Sequence, residues 1–463
     1  MENITKQAIK LFLVFFVLTQ MANVTAQNIV YEVSNVKSNN SIIREYKDGC
    51  YLIYNDIGGA TTFGYADISS GFYTEASASV PPLEINDLEI VNGIAYFCGK
   101  CTLVPYVVFG FFDVYDLFFN NGVINYCILS TITMTSPLGC SGFTEQFTNL
   151  LRIEPYVISS NDVHIFMVGE SYYMNTSGVP GNPYRCVIDA YFDGTSTISL
   201  STLEETDGIY FFNDITVTSS NLVIVGDKHG GTGQYMSYRP LPYLPSSTFL
   251  TYSTLTISLY WSNDIYYYPE PDVRIEALGG DAFATVCNGH VSDSYSPGSF
   301  GIIMTTYNSA INMTDRKLIA NPYDVKRFRD LKFNFKDNRL YYVPEFSQTT
   351  SPNHIYCSDS PTGYTIGANS ENAVFNIEKV CSLDTKRIIN GAFASGVSTA
   401  GILRLWDIEM TESPCTAPTP LSSSSSINPE KDDVKPLPCN QELLGINWVQ
   451  PLINNYIITT ICE

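Results

Sequence analysis

The chain has 463 residues, with 46 Asp+Glu against 25 Lys+Arg and a formal net charge of −21. Only 15% of its residues are charged while 13% are aromatic, including 32 Tyr and 26 Phe. That balance excludes a solvated disordered chain, favours strands over helices, and argues against a nucleic-acid partner, because phosphate contacts need Lys and Arg.

In chain order, the first element reads as an export signal. Lys6 and Lys10 precede an apolar run over 11–18, and the small residue Ala26 follows before Gln27. A basic start, a short apolar core and a small residue form a signal peptide over 1–26. The apolar run falls short of the roughly 20 residues that span a bilayer, and no later segment reaches that length without charges. The expectation is an exported protein, periplasmic, cell-surface or secreted, without a transmembrane segment.

Beyond residue 26 the chain repeats a short strand, a tight turn, a strongly apolar strand, a variable loop and another apolar strand. The clearest copy runs through 85–91, the turn Asn92-Gly93, 94–98 and 107–114. Asn-Gly between apolar runs is the strongest short-range hairpin signal, since both positions must tolerate positive φ. Equivalent turns stand at Asp48-Gly49, Asn161-Asp162, Ser220-Asn221, Gly280-Asp281, Asp337-Asn338 and Ser395-Gly396. A final hairpin is expected at Asn454-Asn455.

The second strands, such as 163–168, 222–225 and 340–343, are nearly continuous apolar runs. A sheet with one wet face would alternate instead. Both faces need cover, yet no amphipathic helices are present to supply it. Sheets covering sheets by radial repetition meet that need.

On these residues the chain resembles a β-propeller. The fold expected is all-β, with about seven four-stranded blades (alternatives six or eight) in a single domain over 27–463. Leu403-Arg404-Leu405-Trp406-Asp407-Ile408 looks like the third strand of a WD40 blade, but it occurs once and without that family's Gly-His partner. The resemblance is therefore general, extends to uncharacterised exported propeller-like proteins of gut-type bacteria, and transfers no functional residues. A Pro/Ser-rich excursion over 411–440 interrupts the pattern. After it, the C-terminal strand is expected to complete a blade with the strand at 29–33, closing the array.

The 12 Cys all lie beyond residue 26 and suit an oxidising compartment. They read as structural disulfides or buried thiols, with Cys127/Cys140 and Cys415/Cys439 as the local pairs. Cys98-Gly99-Lys100-Cys101 has redox spacing but no βαβ context. The four His residues, 164, 229, 290 and 354, are scattered, so neither a metal nor a cofactor is expected, a structural cation being the open alternative.

Acidic residues recur in the first strands: Glu45, Asp87, Glu154, Asp214, Glu276 and Asp330, with Arg44, Arg152, Arg274 and Arg329 beside some of them. In a propeller these strands line the channel. A convergent set would hold a cation or polar ligand, whereas the preferred structural reading has each carboxylate accept backbone N–H bonds and pair with an Arg. A second candidate is an aromatic loop with Trp261, Tyr266, Tyr267 and Tyr268, whose flat faces and polar tips suit sugars and protein interfaces; ordinary outer-strand packing is its rival. Asp227-Lys228-His229-Gly230-Gly231 is the most polar loop after a strong strand. No nucleophile elbow or selected carboxylate pair specifies a reaction. The function expected is a binding or scaffold module for a glycan, peptide or protein. The alternatives are a carbohydrate-active hydrolase or lyase working through channel carboxylates, and a structural cell-envelope protein.

Overall fold

The computed structural model describes residues 29–34, 42–47, 49–57, 60–78, 83–101, 106–129, 144–174, 184–205, 210–228, 234–241, 259–260, 266–269, 273–291, 300–308, 313–321, 325–334, 339–346, 354–357, 364–365, 375–382, 387–394, 402–409 and 442–462. The signal-like segment, the 411–440 excursion, Trp261 and His229 lie outside them. Among the described residues the fold is all-β, built of antiparallel sheets, with one six-residue helix, Val114–Phe119.

Each sheet starts with a strand whose neighbours follow in sequence. Leu83–Val91, Ile94–Cys101, Val107–Asp113 and Ile124–Leu129 make one such series; Thr144–Ser159, Asp162–Met174, Tyr184–Phe192 and Thr197–Glu205 make the next. Tyr210–Val217, Asn221–Lys228 and Gln234–Pro240 form a sheet, and Val325–Asn334 opens another. Arg274–Gly279 pairs with Ala282–Val291, which continues to Phe300–Tyr307 and Met313–Asn321. A nine-stranded sheet contains two such series, one beginning at Ile42–Lys47 and one at Phe375–Ser382.

The turns follow from residue chemistry. Asn92 and Gly93 have φ of 53° and 84°, the paired positive values that a two-residue hairpin needs. At 161 and 220 the turn falls one residue earlier than the sequence suggests, with Asp162 and Asn221 already in strands. Ser395-Gly396 lies outside the described residues; the first two strands of that series are Phe375–Ser382 and Arg387–Ala394. In the apolar run around 104–119, Asp113 caps the helix by accepting the Asp116 N–H at 2.9 Å.

The second strands are covered on both faces. Met167 packs with Phe109 and Cys98 of the preceding series, while Phe166 and Val168 pack with Phe212 and Ile224 of the following one. Successive side chains thus enter different cores, as strand geometry requires. Between the 42–78 and 83–129 series, Phe63 lies 5.4 Å from Phe97 and 4.8 Å from Phe112, ring centroid to ring centroid.

The C-terminal segment departs from the expected hairpin. Asn454 and Asn455 stand inside one strand, Leu452–Cys462, which pairs Phe72–Ala78 and also Ile29–Ser34. Ile29–Ser34 in turn pairs Ile402–Glu409. Before it, Glu442–Gly445 adds to the outer edge at Thr197–Glu205, and Asn447–Val449 adds to Ile124–Leu129.

Among the described residues, Cys98, Cys101 and Cys127 form no disulfide. The Cys127 thiol donates to the Gly445 carbonyl at 3.8 Å, and Cys140, its expected partner, lies outside the described residues. Cys98 and Cys101 are three apart on one strand and so face opposite sides, which rules out a local redox pair. Cys415 and Cys439 lie outside the described residues.

Candidate functional site: a charged hub between first strands

The first strands sit side by side in sequence order: Ile42–Lys47 beside Leu83–Val91, then Thr144–Ser159, Tyr210–Val217, Arg274–Gly279, Val325–Asn334 and Phe375–Ser382, which lies beside Ile42–Lys47 again. Several carry a register shift, between Ile85 and Asp87, Leu150 and Arg152, Phe212 and Asp214, Phe328 and Asp330, and Ile377 and Lys379. Such bulges re-aim the next side chain.

Charge alternates at that position. Arg44, Asp87, Arg152, Asp214, Arg274, Asp330 and Lys379 are opposite Leu52, Cys98, Val168, Val225, Val286, Val343 and Gly391 of their second strands. Two residues further along, on the same strand faces, come Glu89, Glu154, Glu276 and Lys332. Nine of these side chains line one cavity: Arg44, Asp87, Glu89, Arg152, Glu154, Asp214, Arg274, Glu276 and Lys332.

Its geometry is repetitive. Asp87 accepts the Leu88 N–H through Oδ1 at 3.0 Å and the Ile153 N–H through Oδ2 at 3.1 Å. Asp214 does the same with the N–H groups of Ile215 at 3.0 Å and Ile275 at 3.1 Å. Glu276 accepts the Phe333 N–H at 3.3 Å, and Glu154 accepts that of Val217. Each carboxylate thus binds the backbone of the next first strand. Arg44 reaches Asp87 at 3.3 Å and Glu89 at 3.0 Å; Arg152 reaches Asp214 at 3.4 Å. Lys332 Nζ lies 2.9 Å from Glu89, which is 243 residues away in sequence, and 3.8 Å from Glu276.

Electrostatics divide the acids. Burial alone would raise the Asp87 carboxyl, but the Arg152 and Arg44 guanidiniums and the Ile153 N–H outweigh it and hold it below the usual range. Asp214 is pushed up to about 7 by burial, against the opposing pull of Arg152 and the Ile275 N–H. Glu276 also rises to about 7 through burial, with Lys332 opposing and Glu89 adding to it. Glu154 lies well above the ordinary range, through burial and then the nearby Glu89 charge.

The cavity volume is about 40 Å³. A water needs on the order of 10–15 Å³ by this measure, so the space suits about three waters. Drug-sized ligand pockets run to about 300–1,000 Å³. Among the described residues, no three His, Cys, Asp or Glu are arranged to hold a metal ion.

Of the acids singled out in the sequence, Asp87, Glu154, Asp214 and Glu276 come together here. Glu45 does not; it pairs with Tyr51 in register, and period-two alternation turns its neighbour Arg44 to the cavity instead. Asp330 holds the equivalent backbone position, and its side chain lies outside the described ones. Glu89 and Lys332 were missed, although each stands two residues beyond a first-strand Asp. The aromatic loop is corrected as well: Tyr266, Tyr267 and Tyr268 belong to the strand Tyr266–Pro269, paired with Leu259–Tyr260 and Ala282–Val291. Asp227 and Lys228 end the strand Asn221–Lys228.

No family model matches the chain, and no curated protein matches it. Among solved structures it is similar to the polysaccharide lyase Uly1, with 8% identity and a TM-score of 0.36, over 81% of this chain and 90% of that one. A prolyl endopeptidase matches with 10% identity and a TM-score of 0.38, over 86% of this chain and 49% of that one. Oligopeptidase B from Trypanosoma brucei, solved with covalently bound antipain, matches with 11% identity and a TM-score of 0.25, over 79% and 54%. The chain spans about half the length of the two peptidases. The overlaps are loose, and the functional reading rests on the chain's own geometry.

Proposed function

We propose that this chain is an exported, seven-bladed β-propeller that serves as a binding or scaffold module for a glycan or protein partner, with the charged hub as its structural axle. The cyclic order of the first strands supports the propeller reading. So does the strand Leu452–Cys462, which bridges the first series and the N-terminal strand of the last. The observation that carries the functional reading is the occupation of the hub acids. Asp87, Asp214 and Glu276 are bonded to backbone N–H groups of neighbouring strands, inside a 40 Å³ space too small for a sugar or peptide. Ligands would then meet the outer faces and loops, where propeller-type scaffolds carry function.

A second reading, a carbohydrate-active hydrolase or lyase, draws on Asp214 and Glu276, whose values near 7 would suit proton transfer at neutral pH. The test is an oligosaccharide and peptide panel assayed for both binding and turnover, on the wild type and on Asp214→Asn and Glu276→Gln. Saturable binding without turnover, unchanged in both variants, supports the module. Turnover that either variant abolishes without loss of folding supports the enzyme and overturns it.

A further inference from the structure

The C-terminal segment is fastened as a separate piece. The sheets at 83–129 and 144–205 each have four strands of their own before it adds a fifth. Leu444 and Ile446 pack into the core between those two sheets, while Val449 and Ile453 pack into the core between the 42–78 and 83–129 series. The Ile446 N–H donates to the Ser196 carbonyl at 3.1 Å. This is strand addition with alternate apolar side chains as anchors. Strand Leu452–Cys462 then completes the pairing between Phe72–Ala78 and Ile29–Ser34. Its link to the body is residues 410–441, and an extended chain of that length spans at most on the order of 100 Å. The segment's outward side bears Trp448 and Leu452, 67% and 76% exposed, the most open large apolar side chains among the described residues.

We propose that two copies of this chain exchange their C-terminal segments, each copy's Glu442–Cys462 filling the outer edges of the other. The exchanged contacts are the same as those made within one chain, so the swap costs little beyond association. The tether is long enough to reach a neighbouring molecule, and the bare Trp448 and Leu452 faces are apolar surface that a second chain can cover. The partner is thus a second copy, and a foreign extended peptide is the competing occupant.

Ser199 stands opposite Leu443 in register, which gives a direct test with full-length chains. One tagged copy carries Ser199→Cys and a differently tagged copy carries Leu443→Cys. After brief warming, mixing and oxidation, exchange yields a covalent heterodimer of twice the chain mass, at a level rising with protein concentration; neither variant alone gives it. The double variant in one chain marks the unexchanged form. A covalent product confined to single chains overturns the proposal, as does a monomer mass by light scattering for the wild type at every concentration. Dimers that persist when both copies carry Leu444→Asp and Ile446→Asp, with folding confirmed by circular dichroism, overturn it too, because they place the interface elsewhere.

Discussion

The Oδ2 atom of Asp87 accepts the backbone N–H of Ile153, 3.1 Å away in the first strand of the next sheet. The bond fastens two strands that share no ladder, because a bulge between Ile85 and Asp87 turns the carboxylate sideways. Asp214 and Ile275 repeat it at 3.1 Å. Acidity at these positions is therefore a packing device, with the arginines from alternate strands neutralising what the carboxylates bring in.

Asp87→Asn tests that device at its most charged member. The amide keeps one acceptor, but Arg44 and Arg152 lose the anion that they share. Breaking a buried pair costs about 3–5 kcal/mol; Arg44 keeps Glu89 and Arg152 keeps Asp214, so the expected loss in urea unfolding is at the lower end, about 3 kcal/mol. Asp214→Asn is expected to cost clearly less, because at neutral pH that carboxyl is already partly protonated. Equal losses would contradict the division of the acids.

Lys332 faces Glu89 and Glu276, at 2.9 and 3.8 Å. Lys332→Met leaves those carboxylates, and Glu154 with them, without it. The cavity admits water, so the expected cost at pH 7.5 is about 2 kcal/mol, below the range for a fully buried broken pair. The loss should shrink at pH 5, where Glu276 and Glu154 take up protons. A penalty independent of pH would show that Lys332 matters only for its packing.

Gly99 stands where two strand backbones approach closely. A Cβ on Gly99 would lie 2.1 Å from the Glu84 carbonyl oxygen, beside the bulge that aims Asp87. Gly99→Ala must move backbone, and a loss of about 3 kcal/mol or more is expected, at or above the usual overpacking cost. Gly445→Ala, with open space around the new methyl, should stay within about 0.5 kcal/mol and serves as the control. Thermal unfolding of the two variants separates them.

The all-β class and most strand positions were legible because apolar runs and Gly-containing turns are local signals. Asp87 and Asp214 stood out as charges inside apolar strands. Glu45 was misread for Arg44 because a strand buried on both faces does not reveal which residue of a pair points to the axis. Glu89 and Lys332 were missed because their contact joins residues 243 apart. The pairing of the C-terminal strand with the strand at 29–34 was legible, but the additions that precede it were hidden. Strands of three and four residues, Asn447–Val449 and Glu442–Gly445, are too short to show periodicity, and their partners lie hundreds of residues earlier.

The raised acids make stability depend on pH in a direction opposite to the common one. An unfolded Asp or Glu titrates near about 4, whereas Asp214 and Glu276 in the folded protein titrate at about 7. Between those values the folded state binds more protons than the unfolded state, so stability falls as pH rises. Their contribution is complete below about pH 4 and is lost as pH passes 7. Asp87 acts in the other sense: held below the usual range, it stabilises above the unfolded value and loses that effect as pH falls further. Together these place the stability maximum near pH 4–5, with a decline of up to about 1.4 kcal/mol per pH unit for each raised acid towards neutrality. Urea unfolding at pH 5.0 and 7.5 measures the decline directly. Asp214→Asn and Glu276→Gln should each flatten it, since neither amide titrates. A wild-type profile that rises from pH 5.0 to 7.5 would mean that both carboxyls are charged and well paired in the folded hub.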